Sequence, residues 1–202
     1  MQDGNLNDIA ILKRGLKLCV AVAGLVLMGT IIGAAQQEQL EPMDATGLPE
    51  KIWKRGLAIA PVPLNLEGKS KKLVGKGSYL VNGASLCADC HTNPIFLPGG
   101  NPFMGQPERI NTERYLAGGR AFAGGQFRSA NITPDAQGLP AGLTLDQFIE
   151  VMRTGKDFKN RHPEISPLLQ VHPWPFLGKL TDDDLRNIYE YLRAVPHAEP
   201  AP

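Results

Sequence analysis

From Thr92 to Gly142 the chain places nine glycines and six prolines in 51 positions, yet the same stretch carries five aromatic residues. Glycine gives up more backbone freedom on ordering than any other residue, and proline cannot donate to a helix or a sheet ladder. So long a segment with no structure of its own either stays disordered or wraps around something that orders it. What the chain folds into depends on what that something is.

Directly before this stretch stands Cys87-Ala88-Asp89-Cys90-His91. A Cys87–Cys90 disulfide would close a tiny, strained loop, add little loop entropy and leave His91 unexplained. A thioredoxin-like dithiol needs a βαβ setting, which the sequence does not offer. Zinc needs four ligands, and the second pair on offer, His162 and His172, has nine residues between its members where finger sites have three to five. Covalent haem accounts for every residue of the motif: two thiols attach the group and the adjacent histidine becomes an axial ligand. It would also supply the apolar surface that residues 92–142 need. With a single CADCH, the expectation is one covalent haem c on Cys87 and Cys90, with His91 bound to its iron.

The N-terminus agrees with that chemistry, because haem of this kind is attached outside the cytoplasm. Lys13, Arg14 and Lys17 precede an uncharged run from Leu18 to Ala35. Its length lies between a signal-peptide core and a spanning helix, so residues 1–35 are read as a signal peptide or an N-terminal membrane anchor. Either way the remainder lies on the periplasmic side of the membrane, anchored or released after cleavage. Leu16-Lys17-Leu18-Cys19 is a poor lipidation signal, which leaves Cys19 as one more apolar residue. The formal net charge of +1, balanced once residues 1–35 are set aside, excludes a nucleic-acid partner and leaves docking to local patches. Lys51, Lys54, Arg55, Lys69, Lys71 and Lys72 form one candidate patch for an acidic redox partner, or else a solvated face.

Residues 36–68 hold four prolines and no sustained period, and read as a linker or a strap on the domain. Leu73, Val74, Gly77, Leu80 and Val81 then trace a helix-like stripe that ends just before Cys87. Thr144 and Gln147 make a capping box, and Leu145, Phe148, Ile149 and Met152 follow on one helical face ended by Gly155. A last helix starts at Thr181 with three aspartates in its first turn, buries Leu185, Ile188, Tyr189 and Leu192, and stops at Pro196. Strand-type alternation is scarce. The expected fold is mostly α, with long Gly/Pro-rich loops, a domain over 69–196 and a short tail, 197–202.

Taken together, GKGSYLVNGASLCADCHT, NITPD at Asn131–Asp135, LTLDQFIEVMRTGKD and HPWPFLGKLTDDDLRNIYEYLRAVP resemble class I cytochrome c domains. The resemblance is to the type found in the cytochrome subunits of membrane-bound dehydrogenases. It implies a monohaem cytochrome c fold whose first and last helices cross beside the haem, near the glycines around Tyr79. It also implies that Asn131 and Thr133 hydrogen-bond a haem propionate. Trp174 and Phe176 would flank the haem edge, although core filling explains them equally well. Subunits of that type carry more than one haem domain, whereas this chain has a single attachment motif.

The chain departs from that pattern at the sixth ligand. Where the relatives place a methionine before proline, this sequence reads Val171-His172-Pro173. His172 is therefore the expected second axial ligand, giving bis-histidine iron and a potential below that of Met/His relatives, because thioether sulfur favours ferrous iron. The competing readings are an open site beside His172, or ligation by Met104, Met152 or His162. Met152 reads as core packing, His162 as an exposed loop residue and His197 as a solvated residue beyond the last helix. The function expected is that of a non-enzymatic carrier passing single electrons between redox partner proteins, as the electron-transfer subunit of a dehydrogenase or respiratory complex. The alternative is a haem-based gas sensor or peroxidase-like enzyme whose sixth ligand is labile.

Overall fold

The computed structural model describes residues 51–159 and 166–201. The anchor or signal segment 1–35, the first part of the strap and His162 lie outside the described residues. Among those described, no helix is long and apolar enough to cross a membrane. The helices are α1 (Ile52–Ala58), α2 (Lys71–Tyr79), α3 (Cys87–His91), α4 (Leu145–Thr154), α5 (Trp174–Leu177) and α6 (Asp182–Leu192). The mostly helical architecture expected from the sequence is the one observed. A minimal antiparallel ribbon, β1 (Ala121–Phe122) with β2 (Phe127–Arg128), interrupts the glycine-rich loops.

Helix α1 falls inside the stretch whose sequence shows no period. Its residues gain their order from packing: a Cβ on Gly56 would overlap the Gly75 carbonyl, so the backbones of α1 and α2 touch. Ser78 Oγ, fully buried on α2, donates to the Gly56 carbonyl at 2.6 Å across that contact. Helix α2 starts at Ser70, whose Oγ accepts from Leu73 N, and runs on through one π turn, Leu80–Ala84. Val74, Gly77, Leu80 and Val81 of its stripe are buried.

On its other flank α2 meets α6 at Gly77, where any side chain would strike the Asn187 carbonyl. This is the crossing of first and last domain helices that the resemblance implied. Helix α6 is consequently buried on two sides, with Asn187 and Tyr191 enclosed as well as the Leu185–Leu192 face read from the sequence. Next to the crossing a closed triangle forms. Tyr115 O–H donates to Asn82 Oδ1 (2.5 Å), Asn82 Nδ2 donates to Tyr191 Oη (3.1 Å), and the two tyrosine hydroxyls lie 2.8 Å apart. Every polar atom in it has a partner, and Tyr115 belongs to the glycine-rich segment. That segment is thereby pinned to the helix pair.

Both capping boxes form, Thr144 with Gln147 on α4 and Thr181 with Asp184 on α6. Phe148 of α4 stacks obliquely on Tyr189 of α6 at 5.5 Å, and Tyr189 Oη donates to the Leu143 carbonyl. Helices α2, α4 and α6 thus share one apolar core, against which Cys87 and Ala88 of α3 pack.

Candidate functional site

Helix α3 is the five residues of the motif itself. Leu86 enters it in the left-handed region, φ 52°, which turns the chain off the end of α2 into a new direction. One helical turn then brings Cys87, Cys90 and His91, at i, i+3 and i+4, to one face. All three line a single cavity, and the cysteines are free thiols. Burial and the neighbouring Cys90 push the Cys87 thiol up to about 12, and burial raises Cys90 too. A redox dithiol needs the opposite, a nucleophile poised as thiolate.

His91 is held at both ends. Its carbonyl accepts from Gly118 N at 2.7 Å, and its Nδ1 lies 2.7 Å from the Ala130 carbonyl. A carbonyl only accepts, so Nδ1 carries the proton and Nε2 keeps its lone pair. The ring is fixed in the tautomer that a metal ligand requires.

The cavity has two adjoining lobes of about 130 and 110 Å³. Cys90, His91, Ala130, Leu169, His172 and Pro173 line both. The larger lobe is walled by Ile132, Leu143, Phe148, Met152, Ile188 and Leu192. His172 shares the cavity with His91 and makes no side-chain hydrogen bond with any described residue. Its Nδ1 is wholly enclosed without a partner. Burial, and then the proximity of His91, lower its pKa from 6.5 to about 4, so the imidazole is neutral at neutral pH. An enclosed polar atom left unpaired costs about 1–3 kcal/mol, a price that a native fold keeps for a reason. Two thiols on one helical face, two imidazoles on one cavity and apolar walls fit a covalent haem. Among the described residues no three His, Cys, Asp or Glu side chains gather as a metal cage.

Of the other candidate site residues singled out in the sequence, Met152 alone among those described lines the cavity. Trp174 does not line the cavity; its indole packs on Gly155 and donates to the Leu169 carbonyl at 3.2 Å, bracing the segment that carries His172. Phe176 and Met104 are exposed, and Met104 is not part of the cavity wall. Met152 is buried with Phe148 and faces the cavity from α4.

Asn131 and Thr133 turn away from the cavity, because both are engaged by the C-terminal tail. Asn131 Nδ2 donates to the Ala198 carbonyl (2.7 Å), and Ala198 N donates to Thr133 Oγ1 (3.3 Å). Ala130 and Gly118 were invisible to sequence reasoning, since one acts through a backbone carbonyl and the other through the lack of a side chain.

The tail is fastened by His197, whose Nδ1 is 2.7 Å from the Pro134 carbonyl and whose Nε2 is 2.7 Å from Glu199 Oε1. Both partners are acceptors, so only the doubly protonated ring satisfies both. The Glu199 and Pro134 bonds, with Asp135 nearby, accordingly raise its pKa above 6.5. A raised folded-state pKa contributes stability that is fully present below the unfolded value and is lost as pH rises through the folded one. Glu199→Gln should therefore lower thermal stability slightly at pH 6, and that loss should fade as pH rises and His197 deprotonates. An NMR titration should return the His197 pKa towards 6.5 in that variant.

The chain is similar to cytochrome subunits of dehydrogenases. It is 26% identical to the fructose dehydrogenase cytochrome subunit of Gluconobacter japonicus over 155 residues, covering 75% of this chain and 27% of that protein. It is 28% identical to the cytochrome c subunit of the quinone alcohol dehydrogenase of Gluconobacter oxydans over 149 residues, covering 69% of this chain and 26% of that one. The chain thus spans about a quarter of the length of these relatives. No family model matches it, and no solved structure matches it significantly.

Proposed function

We propose that the chain is a c-type cytochrome that passes single electrons on the periplasmic side of the cytoplasmic membrane, as the electron-transfer component of a dehydrogenase or respiratory complex. Cys87 and Cys90 would hold one haem through thioethers, and His91 and His172 would both ligate its iron. The bound group supplies a one-electron ferric/ferrous couple.

The chain's own residues do the rest. Ala130 fixes the tautomer of His91, Trp174 and Leu169 steady the segment that delivers His172, and the side chains of α4 and α6 keep water from the interior. With both histidines ligating, no position would be left for a substrate, which favours a carrier over a gas sensor or peroxidase. The observation that carries this reading is the neutral imidazole of His172, with an enclosed Nδ1 that has no partner, on the cavity that His91 also lines. The relatives, named as cytochrome subunits of dehydrogenases, support the choice of partner class.

The test is expression with a c-type haem maturation system, followed by haem quantification and absorption and EPR spectra. One covalent haem per chain, low-spin in both oxidation states and indifferent to carbon monoxide, is expected. A chain without covalent haem sinks the reading. A high-spin spectrum that shifts with carbon monoxide moves the sensor or enzyme to the front.

A further inference from the structure

Residues 197–201 form no helix or strand, yet His197 to Pro200 are tied down residue by residue. Ala198 exchanges hydrogen bonds with Asn131 and Thr133, and His197 bonds to Pro134. Arg114 Nη1 donates to the carbonyls of Glu199 (2.7 Å) and Pro200 (3.0 Å). The targets Asn131, Thr133 and Pro134 follow directly on Ala130, whose carbonyl orients His91. Asn131 Oδ1 also accepts from Thr133 N and Oγ1, at 2.9 and 2.6 Å, so this short loop is cross-braced.

The opposite side of the same carbonyl is closed by Gly118. With φ 79°, it brings its backbone so near that a Cβ would overlap the Ala130 carbonyl group, while its N–H holds the His91 carbonyl. The acceptor for His91 Nδ1 is thus gripped between Gly118 and a loop whose other side is the tail.

We propose that the tail, His197–Pro200, is a positioning segment that holds the Ala130 carbonyl on His91 Nδ1 and thereby sets the reduction potential of the metal that His91 ligates. This rests on the haem reading above. A hydrogen bond from Nδ1–H raises the basicity of a ligating histidine, and a stronger donor favours ferric iron. Such a bond weakens steeply with length and misalignment. When the tail is released, the loop slackens, His91 becomes a poorer donor and the potential rises.

The experiment compares wild-type holoprotein with a chain ending at Pro196 and with Thr133→Val and Thr133→Ser, by redox titration and ferric EPR. Truncation should shift the ferric/ferrous equilibrium three- to tenfold towards ferrous, the upper end being about 59 mV for a one-electron couple. The EPR g-values, which report axial donor strength, should move with it. Thr133→Val should shift both in the same direction by less, and Thr133→Ser, which keeps the hydroxyl, should restore wild-type values. A purely structural tail would change melting temperature but neither potential nor g-values, and that result overturns the proposal. The Thr133 pair decides the matter at full chain length. A wild-type chain that takes up no haem defeats the carrier reading as well. A normal wild type with an unmoved potential in the truncated chain and in Thr133→Val defeats the tail proposal alone.

Discussion

His172→Met holoprotein should have a reduction potential on the order of 0.1–0.2 V above wild type, a fraction of the roughly 0.8 V that axial ligation and surroundings span. The sign follows from the donors. Imidazole stabilises ferric iron better than thioether does, so exchanging one for the other favours reduction. Methionine is unbranched and adaptable, and the segment that would carry it is anchored independently of residue 172, by Trp174 Nε1 to Leu169 and by Leu169 N to the Gly155 carbonyl at 2.7 Å. The exchange also removes the enclosed Nδ1, which has no partner, so thermal stability should not fall. His172→Ala is the companion. With no side-chain donor, the iron should become accessible to carbon monoxide, with high-spin character in the ferrous absorption spectrum. If both variants keep the wild-type potential and EPR signature, His172 is not a ligand, and Met152, which faces the same cavity, becomes the residue to replace next.

What could be read from the sequence follows the range of the interaction involved. CADCH and the two capping boxes are local: their partners lie within four residues, so spacing alone carries the information. Helix α1 is the opposite case. Its seven residues show no apolar period, and it exists because Gly56 meets Gly75, a contact with no local signature. The same holds for Asn131 and Thr133. Their side chains are suited to a carboxylate, but the groups they reach are His197 and Ala198, more than sixty residues on. The glycine-rich stretch was legible as needing a scaffold. What the sequence left hidden is that part of the scaffold is polar, the Tyr115–Asn82–Tyr191 triangle, in addition to the cavity wall.

Gly77→Ala is expected to cost about 2–3 kcal/mol, the upper part of the usual range for overpacking. The new methyl would overlap the Asn187 carbonyl and lie 2.7 Å from Tyr191 Cβ. The first of these is helix backbone, so no rotamer change relieves the clash and α2 must move away from α6. Alanine's helix propensity, worth up to ~1 kcal/mol over glycine, offsets only part of this. Separation would also stretch the Asn82–Tyr191 and Tyr115–Tyr191 contacts that fasten the glycine-rich segment beside the crossing. At about 2–4 °C per kcal/mol for a domain of this size, the holoprotein should melt some 4–12 °C lower. Gly83→Ala is the control on the same element. Gly83 is exposed, its φ is not left-handed, and a Cβ there meets only side-chain atoms at 3.9–4.0 Å. Reduced freedom of the unfolded chain should then make that variant neutral or up to about 1 kcal/mol more stable. Opposite signs at two glycines six residues apart would locate the helix crossing at Gly77, whereas equal melting temperatures would mean that α2 and α6 do not approach backbone to backbone.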